Sequence, residues 1–185
     1  MMYELPESLT VCGEEYPIRW EYRDILLILE ILNDVSLSNQ ERGFLACMFF
    51  YPNFRDMPSG HYQEAVRRCL WFINNGEDEG DSQKNPPRLV NWEKDFPYIV
   101  SPVNRVIGHE IRSAEPVHWW TFLSAYMEIG DCTFAQIVRI RGMKAKGKAL
   151  DKADQEWYRQ NRRLVDIRQE FTRDEKDMMQ QWGAC

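Results

Sequence analysis

The strongest constraint on this chain is the spacing of its apolar residues, which recur at intervals of three and four along one segment after another. Between His61 and Asn74, the residues Tyr62, Ala65, Val66, Cys69, Leu70 and Ile73 form one stripe, with Arg67 and Arg68 turned outward. That period belongs to an amphipathic helix and does not suit a strand. Glu21–Asn33 (EYRDILLILEILN) is apolar on most of its circumference, which predicts a central, heavily buried helix. Ser38 followed by Glu41 resembles a capping box, opening a second helix that runs through Phe50 and is closed by Pro52. Asn91–Val106 predicts a helix whose course is left open by Pro97 and Pro102. Pro116–Gly130 predicts another, with Pro at its first position and Gly at its stop, and Thr133–Ile140 a short one. Only Leu9–Trp20 reads differently. Leu9, Val11, Tyr16, Ile18 and Trp20 give alternating apolar positions around Gly13, which predicts a small hairpin over residues 9–20. The expected fold is mainly α: one helical domain over 1–185 with an N-terminal hairpin and a long C-terminal helix.

At 185 residues and 44% apolar composition, about 70% of the extended chain's surface can be buried, so no disulfide or metal staple is needed. Five widely spread cysteines form no CxxC pair, and Cys47 and Cys69 sit in apolar stretches. Free thiols behaving as small hydrophobes in a reducing cytoplasm are expected. The amino-terminal residues lack the basic and apolar regions of a signal peptide. The longest apolar run, Ile25–Leu29, is far short of the roughly 18 residues that span a bilayer. Residues 76–88, GEDEGDSQKNPPR, can bury nothing and predict a mobile acidic surface loop.

The chemistry-bearing residues are few. His61, His109 and His118 match neither HExxH nor a zinc pattern, and His118 among aromatic residues reads as a satisfied core histidine. No nucleophile elbow or glycine-rich phosphate loop is present. The expectation is a protein without catalysis, cofactor or metal. Arg139, Arg141, Lys144, Lys146 and Lys148 form a basic stretch without an acid, loosened by Gly142 and Gly147. It offers an alternative function, phosphate contact with a nucleic acid. The net charge of −6, the absence of aromatic residues within the stretch and the acidic Glu77–Asp81 segment as a partner in the same chain argue against it.

The carboxyl-terminal segment Leu150–Trp182 contains no Gly or Pro and predicts one long helix. Leu150, Trp157, Leu164, Phe171 and Met178 recur every seven residues, whereas the companion row Ala153, Gln160, Ile167, Asp174 and Gln181 is mostly not large and apolar. One apolar row suits a helix lying along another body rather than a sustained two-stranded coil. Such a helix is about 50 Å long, against a radius of gyration of about 16 Å for a compact domain of this size. Its far end is expected to project and carry a partner-binding surface of Trp157, Leu164, Phe171, Met178, Met179 and Trp182.

LPESLTVCGEEYPIRWEYRDIL, FFYPNF, AVRRCLWFINNG, NWEKDFPYIVSPVNRVIG, EPVHWWTFLSAYMEI and IVRIRGMKAKGKALDKADQEWY occur in that order. Together, from about Leu5 to Ile167, the chain resembles the bacteriophage gp-fifteen (Gp15) family, encoded near the tail-tube and tape-measure genes of tailed phages and prophages of Gram-positive bacteria. The most specific marks are the LPES opening and His118-Trp119-Trp120-Thr121-Phe122. The resemblance implies a tail assembly chaperone acting in the bacterial host cytoplasm. Its partners would be the tape measure and the tail tube subunit; self-association, or retention in the virion as a structural tail component, stays open. It assigns no catalytic residue.

Overall fold

A computed structural model describes residues 4–78, 89–113 and 115–167. The fold is mainly α with one small hairpin, and the described residues gather into two compact units. The first contains residues 4–78 and 117–120; the second contains 89–116, apart from residue 114, and 121–167.

In the first unit, β1 (Ser8–Val11) pairs antiparallel with β2 (Glu14–Pro17). The connecting residues Cys12 and Gly13 both have positive φ, 50° and 85°, the twist that suits a two-residue hairpin turn. Leu9, Val11, Tyr16 and Ile18 are buried, as the alternation predicts. The turn is tied down by Glu64, whose Oε2 accepts from the Cys12 backbone N–H and thiol, each at 3.1 Å. Helices α1 (Tyr22–Asn33), α2 (Asn39–Phe50) and α3 (Tyr62–Ile73) follow. The Ser38–Glu41 capping box is present at the start of α2. Gly43 brings α2 close to α3: a Cβ there would sit 3.5 Å from Val66. Cys47 and Cys69 are both buried and free. Arg68, expected to face outward, instead lies over the Trp71 ring at 4.6 Å.

His118, Trp119 and Trp120 complete this unit. The sequence predicts a helix from Pro116, but α5 (Trp119–Met127) begins later. Val117 and His118 are extended because their backbone is used elsewhere: Glu21 bridges His118, and the Val117 carbonyl accepts from Tyr22 N–H at 3.0 Å. The two indoles then donate to carbonyls at the end of α3, Trp119 to Ile73 at 2.9 Å and Trp120 to Phe72 at 2.8 Å. Carbonyls of a helix's last turn need such partners, and Phe72 also accepts from Asn75 N–H at 3.2 Å. His118 is a satisfied core histidine, stacked on Trp20. Its Nδ1 accepts from Trp120 N–H, so Nε2 carries the proton toward the Pro6 carbonyl, each contact at 3.1 Å. Burial pushes its pKa down, keeping the ring neutral.

The second unit contains α4 (Trp92–Ile107), the rest of α5, α6 (Thr133–Ala145) and α7 (Lys152–Val165). Asn91 caps α4 and Gly108, at φ 90°, ends it; the helix runs through both Pro97 and Pro102. Its core includes Ile99, Val103, Ile111, Phe122, Phe134, Ile137 and Ile140. Helix α6 extends five residues beyond the predicted Ile140, with Gly142 inside it rather than in a flexible arm.

The expected uninterrupted helix from Leu150 to Trp182 is corrected. Asp151 caps α7, which departs from helical geometry at Asn161 and stops at Val165, Asp166 being extended. The Asn161 side chain donates to the Trp157 carbonyl at 2.9 Å, a local bond that competes with the helical backbone. At the stop, the Arg141 guanidinium takes the Leu164 and Val165 carbonyls, each at 2.7 Å. A segment free of Gly and Pro can therefore still end where side chains satisfy its last carbonyls. Residues 79–88, most of the predicted acidic loop, and 168–185 lie outside the described residues.

Candidate partner-binding surface

The basic stretch is largely engaged within its own unit. Arg141 is only 5% exposed and faces Asp95, 1% exposed, on α4. Its Nη1 and Nη2 meet the two carboxylate oxygens at 2.5 and 2.9 Å, and Nη1 also donates to the Leu89 carbonyl at 2.8 Å. With the two carbonyls ending α7, all five guanidinium N–H groups have acceptors, the condition under which an arginine can be buried. Arg139 pairs with Asp154 through Nη1 at 2.8 Å and through Nη2. That arginine, with help from Gln136, holds the Asp154 carboxyl below its ordinary pKa. Lys144 reaches Asp166 at 2.6 Å and the Tyr158 hydroxyl at 2.7 Å. Burial works to raise Asp166, but Lys144, Tyr158 and Arg162 together hold it below the usual carboxylate range. Lys146 and Lys148 are exposed and make no ion pair among the described residues. Among the described residues the domestic partners are Asp95, Asp154 and Asp166; residues 79–81 of the expected Glu77–Asp81 partner lie outside the described residues.

Of the expected partner-binding row, Trp157 and Leu164 are half-buried on α7, on either side of the irregular Asn161. Phe171, Met178, Met179 and Trp182 lie outside the described residues.

The large apolar side chains most exposed among the described residues are Leu27 of α1, Phe44 and Phe49 of α2, Leu5, Val106 of α4 and Met127 of α5, so three of the six lie on the neighbouring helices α1 and α2. Only Tyr22, Ile25 and Ile28 of α1 are buried, and Leu27 is 52% exposed, so α1 is not the central helix its composition predicts. On α2, Ala46, Cys47 and Phe50 turn inward. The opposite arc carries Phe44, Leu45, Met48 and Phe49, in which Phe44 with Met48 and Leu45 with Phe49 are i,i+4 neighbours. Phe44 and Phe49 are 45% and 47% exposed, although the Phe44 ring also meets Phe54 and Tyr62 edge-on. Leu27, Phe44 and Phe49 are thus large apolar side chains left about half in water on neighbouring helices. The signal was present in the sequence: α1 is apolar on most of its circumference and the second half of α2 is a run of large apolar residues, more than one buried face needs.

Carboxylates surround this face. Asp24 and Glu30 stand one turn before and after Leu27, and neither makes an ion pair among the described residues. Arg23 is taken up by Glu21 at 2.8 Å, and Arg42 points at the Leu32 and Leu37 carbonyls. Between Glu4 and Asp78 there are thirteen Asp and Glu but only six Arg and no Lys.

The described residues contain no His/Cys/Asp/Glu group suited to a metal, and no helix among them is long and apolar enough to cross a membrane. A family model described as Bacteriophage Gp15 protein matches residues 1–167. No curated protein and no solved structure matches the chain.

Proposed function

The chain belongs to the Bacteriophage Gp15 protein family, and from that premise we propose that it is a tail assembly chaperone that shelters apolar helical segments of the tape measure protein. The observation that carries the reading is the outward face of α1 and α2, where Leu27, Phe44 and Phe49 are about half exposed. A helix laid along such a face buries its apolar stripe against aromatic and aliphatic side chains, the helix-in-groove mode of recognition. Binding of this kind holds an aggregation-prone helix in solution and releases it when tube subunits compete for the same stripe. The carboxyl-terminal row Trp157, Leu164, Phe171, Met178, Met179 and Trp182 is proposed as a second contact with the same partner.

Co-expression with the tape measure protein of the same phage tests both contacts. Leu27→Asp with Phe49→Asp is expected to abolish co-purification while circular dichroism and thermal unfolding stay those of the unmodified protein. Phe171→Asp with Met178→Asp is expected to weaken it. Full retention by the first double variant would overturn the assignment of the α1–α2 face.

The nucleic-acid alternative is less supported, since Arg139, Arg141 and Lys144 are already paired with Asp154, Asp95 and Asp166.

A further inference from the structure

We infer that the α1–α2 face selects a basic amphipathic helix, one whose apolar stripe is flanked by Lys or Arg. This rests on the reading of that face as a docking surface and adds the chemistry of its occupant. Charge complementarity identifies the occupant. Leu27, the most exposed apolar residue of α1, lies between Asp24 and Glu30, whose positions three residues away on either side place them along the same face. Arg23 is committed to Glu21, and Arg42 turns its guanidinium to backbone carbonyls at 3.1 and 3.3 Å. Glu41 stands one turn before Phe44 and Leu45 on the outer arc of α2. Across Glu4–Asp78, Arg67 is also paired, with Glu64, and Arg68 lies on Trp71. Arg19 and Arg55 are the two exposed arginines of Glu4–Asp78 without an ion pair among the described residues, against thirteen carboxylates, so the surroundings of the apolar face carry an excess of negative charge. An incoming helix with acidic flanks would meet like charge at a desolvating rim, whereas basic flanks would gain ion pairs and a faster encounter.

The test uses the full chain and two synthetic eighteen-residue helices with the same leucine stripe, one flanked by Lys and the other by Glu. Fluorescence anisotropy is expected to give at least about tenfold tighter binding of the Lys helix at about 100 mM salt. Asp24→Asn with Glu30→Gln is expected to weaken the Lys helix by about three- to tenfold, the range of two exposed ion pairs. Glu77→Gln with Asp78→Asn, which removes the same charge from exposed positions after α3, is expected to change it less than about twofold. If the two control substitutions weaken binding as much as Asp24→Asn with Glu30→Gln, only bulk charge is sensed and the inference is overturned. If both helices bind alike and both are lost with Leu27→Asp and Phe49→Asp, the inference fails while the docking face stands. If neither helix binds, or those two substitutions change nothing, the docking face fails with it.

Discussion

In the sequence, α6 carries the basic stretch that could meet a partner, and α1 looks like the core. The structure pairs most of that basic stretch internally and leaves part of α1 in water. In the α6–α7 region, charged side chains that could have met a partner meet each other: Arg141 with Asp95, Arg139 with Asp154, Lys144 with Asp166. In the α1–α2 region, side chains that should have been sheltered stand in water. The lesson is that charge pattern alone does not locate an interface. A cation is available to a partner only when no acceptor lies within reach in its own fold, and an apolar residue is core only when something covers it.

The contrast can be broken by substitution, and the largest effect is expected at the buried pair. Asp95→Ala leaves the Arg141 guanidinium buried without its counter-charge, a change expected to cost about 3–5 kcal/mol of stability. Urea unfolding measures it, and a loss under about 1 kcal/mol would mean that the pair is wetter and less committed than its 5% and 1% exposures indicate. Next comes Gly76, at φ 83°, where an added Cβ would lie 3.4 Å from ring carbons of both Trp71 and Trp120. Gly76→Ala is expected to lower stability by about 1–2 kcal/mol through backbone strain and crowding of the rings; an unchanged melting temperature would show that the turn relaxes freely.

A smaller effect follows from Asp154. Its folded-state pKa is depressed by Arg139, so the unfolded chain binds its proton more readily. The stabilisation is present above the ordinary carboxylate pKa and is lost as pH falls through the folded value. Unfolding midpoints measured from pH 7 downward should therefore decline less steeply for Asp154→Asn than for the unmodified chain. Parallel curves would remove Arg139–Asp154 from the closed region. The smallest stability effect is expected on the open side: Leu27→Asp and Phe49→Asp should each change unfolding free energy by no more than about 0.5 kcal/mol, as at exposed positions generally. A loss of several kcal/mol at either site would return α1–α2 to the core.

Much of the architecture was legible because period and punctuation are local. The stripe from Tyr62 to Ile73, the Ser38–Glu41 capping box and the alternation around Gly13 are each readable within a dozen residues. What was not legible depends on partners distant in sequence. Arg141 is buried because Asp95, Leu89, Leu164 and Val165 converge on it, and nothing in a window around Gly142 announces that convergence. The same guanidinium explains why α7 stops at Val165 despite the absence of Gly and Pro. The delayed start of α5 is set by Trp20–Tyr22, about a hundred residues earlier in the chain. For the candidate surface, the composition of α1 and α2 was visible but ambiguous, since a helix with more apolar residues than one buried face needs does not declare what covers the rest.

Site-specific photo-crosslinking in cells co-expressing the tape measure protein decides whether the α1–α2 face is where the partner docks. A photoreactive amino acid placed at position 27 or 49 is expected to give a covalent adduct with the tape measure, and the same group at position 146 or 148 none. Adducts from 146 and 148 without any from 27 and 49 would contradict the account, moving the working surface from the open helices to the basic stretch.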